Sequence, residues 1–129
     1  MMVSSHPVSL SRIGQIALSV HDVARATAFY RDTLGMTLLF EAGGMAFFDC
    51  GGIRLMLAVP EQKEFEQSGS VLYFRVDDIG ATHAELSSRG VQIERAPHLV
   101  ARLPGHDLWL SFFRDSEGNL LALMSEVRS

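Results

Sequence analysis

The chain has 129 residues, room for one packed domain and too few for two independent cores, and its 47% hydrophobic and 20% charged residues exclude wholesale disorder. The formal net charge of -4 comes from interspersed residues with no Lys/Arg run, so neither nucleic acid nor an anionic membrane is an expected partner. A lone cysteine, Cys50, excludes an internal disulfide and suits a reducing compartment. No apolar run approaches the roughly 20 residues that span a bilayer, and a cytoplasmic protein is expected.

Residues 1–10 read as a flexible tail and residues 11–127 as one domain. A strand is predicted over 13–20, where Ile16, Leu18 and Val20 alternate with Gln15, Ala17 and Ser19. Asp22 then suits a helix N-cap, and Val23, Ala26, Phe29, Tyr30 and Leu34 recur at helical spacing up to Gly35, a natural stop. Strands follow at 37–41, 45–50 and 53–59, with Gly43-Gly44 and Gly51-Gly52 at the turns. The polar stretch 61–69 reads as a linker. The pattern then restarts: strand 71–76, cap Asp78, helix 79–89, stop Gly90, and strands at 92–95 (extending towards 99), 108–114 and 120–125.

The restart is a repeat. Ala17-Leu18-Ser19-Val20-His21-Asp22 matches Tyr73-Phe74-Arg75-Val76-Asp77-Asp78, Leu34-Gly35 matches Arg89-Gly90, and Gly51-Gly52-Ile53 matches Glu117-Gly118-Asn119. The expected fold class is therefore α+β: two tandem βαβββ modules, about 11–60 and 70–127, forming a curved eight-stranded mixed sheet around a concave cavity with the helices on the outer face. Strand alternation assigns Gln15, Arg54, Met56, Tyr73, Arg75 and Met124 to the cavity side, a wall of apolar surface with a few polar groups. In the strand 108–114, Leu108, Leu110 and Phe112 form an apolar set that is expected beneath the helix. That would put Trp109 in the cavity, stacked on a ligand, or else at a dimer seam or sheet edge. His106, at the entrance of this strand, is a candidate hydrogen-bonder or acid–base group, and otherwise a turn residue. Arg54 or Arg75 could clamp a carboxylate or phosphate, or lie at the rim paired with an acid. His83 is expected on its helix surface and His6 in the tail.

The segment Gln15-Ile16-Ala17-Leu18-Ser19-Val20-His21-Asp22, with Phe29-Tyr30 and Leu34-Gly35, resembles the opening of the vicinal oxygen chelate superfamily of glyoxalases, bleomycin-resistance proteins and extradiol dioxygenases. Phe113-Arg114-Asp115-Ser116-Glu117-Gly118-Asn119 is similar to its closing motif, with Ser116 where proline is common. The resemblance implies a divalent-metal site at Gln15, Met56, Val71 and Ala122. Gln15 is an acceptable oxygen donor, Met56 a poor ligand for a hard ion, and Val71 and Ala122 carry no donor at all. The expectation is therefore a protein that binds a small, partly apolar or planar molecule without a metal cofactor, as the likeness to bleomycin-resistance proteins implies, and pairs as a homodimer. Two alternatives stand beside it: a metal-dependent lyase or dioxygenase with a rearranged site, and a non-catalytic interaction subunit.

Overall fold

The computed structural model describes residues 9–60 and 70–128. The expected linker 61–69 and His6 lie outside the described residues. In chain order the first module comprises β1 (Gln15–Ser19), α1 (Val23–Ala28) running into a π-helical turn (Phe29–Thr33), β2 (Thr37–Ala42), β3 (Met45–Cys50) and β4 (Ile53–Ala58). The second comprises β5 (Leu72–Arg75), α2 (Ile79–Ser88), β6 (Gln92–Leu103), β7 (His106–Arg114) and β8 (Leu120–Arg128). The hydrogen-bonded ladders are two four-stranded sheets of the same topology, β1-β4-β3-β2 and β5-β8-β7-β6. In each, the first and last strands pair in parallel and the other neighbours are antiparallel. Duplication is thus visible as identical strand order.

Both helices begin as their sequence dictates. Asp22 Oδ1 accepts from Arg25 N and Asp78 Oδ1 from Ala81 N, each at 3.0 Å, satisfying an N–H that the helix itself leaves open. Gly35 (φ 75°) and Gly90 (φ 82°) follow the two helical segments in the left-handed region, where a Cβ would be strained. The first helix widens near its end, with Leu34 N bonding to Phe29 O. Tyr30, in that turn, is fully buried, and its ring meets Phe29 edge-on at 5.7 Å and Phe48 at 6.1 Å.

One face of each sheet lies under its helix. Val20, Ala26, Tyr30, Phe48, Leu55 and Leu57 from the first module join Ile79, Leu86, Val91, Phe113, Leu121 and Leu123 from the second in a single buried cluster. Each large side chain removed from water here is worth about 1.5–3 kcal/mol.

The β7 register corrects one expectation. Phe113 pairs with Leu121 and Trp109 with Ser125, so Trp109 and Ser111 share the helix-covered face, and Trp109 packs against the core. Leu108, Leu110 and Phe112, opposite Glu126, Met124 and Ala122, occupy the helix-free face instead. Alternation favoured the uninterrupted apolar set Leu108, Leu110 and Phe112 because Trp109 and Phe113 share their parity with Asp107 and Ser111. What admits a serine to the buried side is its partner: Ser111 Oγ donates to Arg95 O at 2.9 Å, beside the irregular β6 pairing. Both β6 and β7 also run longer than expected, meeting at the Leu103–His106 pair.

Candidate functional site

The helix-free faces carry most of the residues singled out from the sequence. In the first module, parallel pairing sets Gln15 beside Arg54 and Ala17 beside Met56. The Arg54 Nε–H donates to Gln15 Oε1 at 2.8 Å, and the Gln15 amide N–H contacts Met56 Sδ at 3.8 Å. The Arg54 guanidinium carbon lies 5.5 Å from the Phe47 ring centre and 6.0 Å from that of Phe40. Those two rings are themselves stacked, 4.6 Å apart and 23° from parallel. Phe47 is buried, while Phe40 is 45% exposed.

In the second module, Tyr73 meets Phe112 edge-on at 6.2 Å, and the His98 ring lies 6.2 Å from Phe112, tilted by 31°. Met124 lies between Arg75 and Leu110 in the ladder. At the far end, Glu126 joins two residues that the sequence left separate: Arg75 Nη2 donates to Glu126 Oε1 at 2.7 Å, and His106 Nε2 lies 3.0 Å from Glu126 Oε2. A His–carboxylate pair is a unit that can hold or relay a proton. Arg75 therefore takes the rim fate, its charge matched by Glu126 and largely in solvent, where such a pair adds little stability.

The metal expectation can be tested on donor chemistry. Of Gln15, Met56, Val71 and Ala122, only Gln15 offers an oxygen, and that oxygen already accepts from Arg54. Among the described residues no three His, Cys, Asp or Glu side chains gather as a metal site would require. The residues present do not fit the divalent ion of the catalytic members.

The seam between the modules is polar and closely bonded on one side. The buried Tyr30 hydroxyl donates to Asp115 Oδ2 at 2.7 Å. Glu117 accepts from the backbone N–H groups of His21 and Asp22, both at 2.8 Å, and from Arg25 at 2.6 Å. The Asn119 side chain bonds Ser19 O at 3.0 Å. Hydrogen bonding to Arg25, above all, holds the Glu117 carboxyl down at about 2, and burial, reinforced by Asp115, pushes the Tyr30 phenol upward. A cleft of about 360 Å³ runs along this seam, lined by Ala17, Val71, Arg114, Asn119 and Leu120 among others. A second, of about 240 Å³, is lined in part by Tyr73, Ile53 and Cys50.

Sequence reasoning thus placed Gln15, Arg54, Met56, Tyr73, Arg75 and Met124 on one kind of surface. It misplaced Trp109, and it left His106 without its partner. Glu126 was detectable: it shares the parity of Ala122 and Met124, and the hairpin register sets it opposite Leu108, diagonal to His106. The Phe40–Phe47 pair had no such signal, because the bulge between Leu38 and Phe40 shifts the β2 parity. His83, expected on a helix surface, is half-buried, and its Nδ1 is sealed from solvent without a hydrogen-bond partner among the described residues.

Residues 12–123 match the family described as the Glyoxalase/Bleomycin resistance protein/Dioxygenase superfamily. The chain is 30% identical over 123 residues to the uncharacterised protein YraH of Bacillus subtilis, covering 84% of this chain and 94% of that one. Among solved structures it is similar to a lactoylglutathione lyase from Agrobacterium tumefaciens (25% identity, TM-score 0.72, covering 89% and 93% of the two chains). It shares its fold with TnmS3, an antibiotic binding protein from Streptomyces sp. CB03234 (24% identity, TM-score 0.74, covering 93% and 99%). No helix among the described residues is long and apolar enough to cross a membrane.

Proposed function

We propose that this chain, which belongs to the Glyoxalase/Bleomycin resistance protein/Dioxygenase superfamily, binds a small, partly apolar or planar molecule on its helix-free sheet faces without a divalent metal. The observation that carries this reading is the pairing of two aromatic groups, Phe40–Phe47 and Tyr73–Phe112, with a donor set that offers one amide oxygen and one thioether. Aromatic faces bind flat apolar bodies through stacking and burial, and methionine adapts to their outline. In one chain these faces are open, with Phe40 45% and Tyr73 49% exposed. A homodimer in which the partner covers them completes the reading, and the cytoplasm is the expected compartment for its single thiol.

A thermal-shift panel of aromatic and amphipathic compounds tests the proposal, since a ligand that binds only the folded protein raises Tm. Phe40→Ala and Tyr73→Ala should reduce the shift given by any hit. If no compound raises Tm, or if the hits are indifferent to both substitutions, the reading fails. Sedimentation velocity at two protein concentrations tests the pairing, and a monomer at both would remove it.

The His106–Glu126 contact favours a second reading, in which the same surface assists a proton transfer on what it binds. A bound compound that is converted by the native protein and not by His106→Gln would support it. Turnover unaffected by that substitution would exclude His106.

A further inference from the structure

We propose that the molecule bound on the first module's helix-free face carries an oxyanion, a carboxylate or a phosphate, and that Arg54 grips it while the planar body lies against Phe40. This rests on the preceding reading and names its ligand class. Two arginines singled out on the helix-free faces differ in one respect: Arg75 is neutralised by Glu126 at 2.7 Å, whereas among the described residues Arg54 has no acidic partner. Asp49 lies directly opposite Arg54 in the ladder, yet its Oδ1 accepts from Gly52 N at 3.2 Å in the turn. The one carboxylate in register is thus engaged with its own backbone.

The guanidinium is nevertheless held in place. Its Nε–H is bound to Gln15 Oε1, the Gln15 amide is tied in turn to Met56, and the stacked Phe40 and Phe47 rings lie 6.0 and 5.5 Å away. Among the described residues, the two Nη groups have no hydrogen-bond partner. An arginine whose Nε is anchored and whose terminal fork is open suits bidentate recognition of a carboxylate or phosphate, because little rotamer freedom remains to be lost. Phe40, 45% exposed beside it, offers the apolar surface on which a ring attached to that anion would rest.

The experiment measures binding of naphthoate, naphthyl phosphate and the neutral naphthamide by calorimetry, on the full chain and on Arg54→Met, Arg54→Lys and Phe40→Ala. With the full chain, one of the two anions should bind about tenfold or more tightly than the amide, and the tighter one names the anion class. Arg54→Met should erase the difference by weakening the anion far more than the amide, Arg54→Lys should keep part of it, and Phe40→Ala should weaken acid and amide alike. Circular dichroism of each variant confirms that it is folded. Equal affinity for acid and amide in the full chain overturns the anion inference and leaves the aromatic-surface reading standing. Binding of none of the three compounds overturns both. A preference for the anion that survives Arg54→Met assigns the charge to another residue and overturns the role given to Arg54.

Discussion

The repeat brings two equivalent corners of the molecule into comparison. Asp115, which follows β7, corresponds to Cys50 at the end of β3, since Phe113 pairs with Leu121 as Phe48 pairs with Leu55, and Tyr30 of the first helical segment corresponds to Leu86 of α2. In the first corner Asp115 accepts from the Tyr30 hydroxyl, from Glu117 N and from both the backbone and side-chain N–H groups of Asn119, at 2.7–2.9 Å. In the second, Leu86 has no hydroxyl to offer. Cys50 stands in the place of Asp115 and has no carboxylate to accept a bond. There the modules meet across an apolar cleft of about 220 Å³ lined by Met36, Cys50, Phe74, Leu86 and Phe113 among others. Duplication therefore copied the elements and not the contacts. One corner fixes the modules by a network of directional bonds, the other mainly by burial, with one bond from Arg89 Nη1 to Thr33 O at 2.8 Å beside it.

Substitutions should break this asymmetry in a definite order. Asp115→Ala should have the largest effect, a loss on the order of 3–5 kcal/mol in urea unfolding, because it leaves the buried Tyr30 hydroxyl and the turn N–H groups unsatisfied. A loss no greater than that of Cys50→Ala would refute the contrast. Leu86→Ala should follow at about 2–4 kcal/mol, the transfer and cavity terms of a buried leucine next to space that already exists. Tyr30→Phe should cost about 1–3 kcal/mol, since the ring still packs but Asp115 loses a donor.

The fourth prediction sharpens the comparison with pH. The Glu117 carboxyl is held at about 2 in the folded chain against an ordinary value of 4.5. Its stabilisation is therefore complete above about pH 5 and is lost as pH falls towards about 2. Glu117→Gln should destabilise the protein clearly at neutral pH and much less near pH 3, as read from paired urea curves; a pH-independent difference would count against the ionic part of this corner. The smallest effect is expected for Cys50→Ala, about 1 kcal/mol or less, because a half-buried thiol beside an existing cleft leaves only a small cavity.

The comparison also shows where sequence reading had purchase. Asp22 and Asp78 were legible as caps, and Gly35 and Gly90 as stops, because these roles depend on one residue's backbone and near neighbours. The parity of β1, β4 and β5 was legible because only one of their two faces is continuously apolar. β7 was not: Leu108, Leu110 and Phe112 compete with Trp109 and Phe113, and pairing with Leu121 decides between them. The Glu126 link to Arg75 and His106 and the Arg54 platform on Phe40 and Phe47 join strands distant in sequence, through registers and a bulge that local patterns do not encode.

By itself the sequence determined the two βαβββ units with their caps and turns, which follow from residue type and spacing; Gln15, Met56, Val71 and Ala122 are metal places only by the family resemblance, and residue type then shows how few donors they offer. Tertiary structure alone decided which face of β7 is buried, which arginine has an acidic partner, and which of two equivalent turns bonds the modules together. Those outcomes turn on long-range register and on competition for hydrogen-bond partners, which are settled only when distant strands meet.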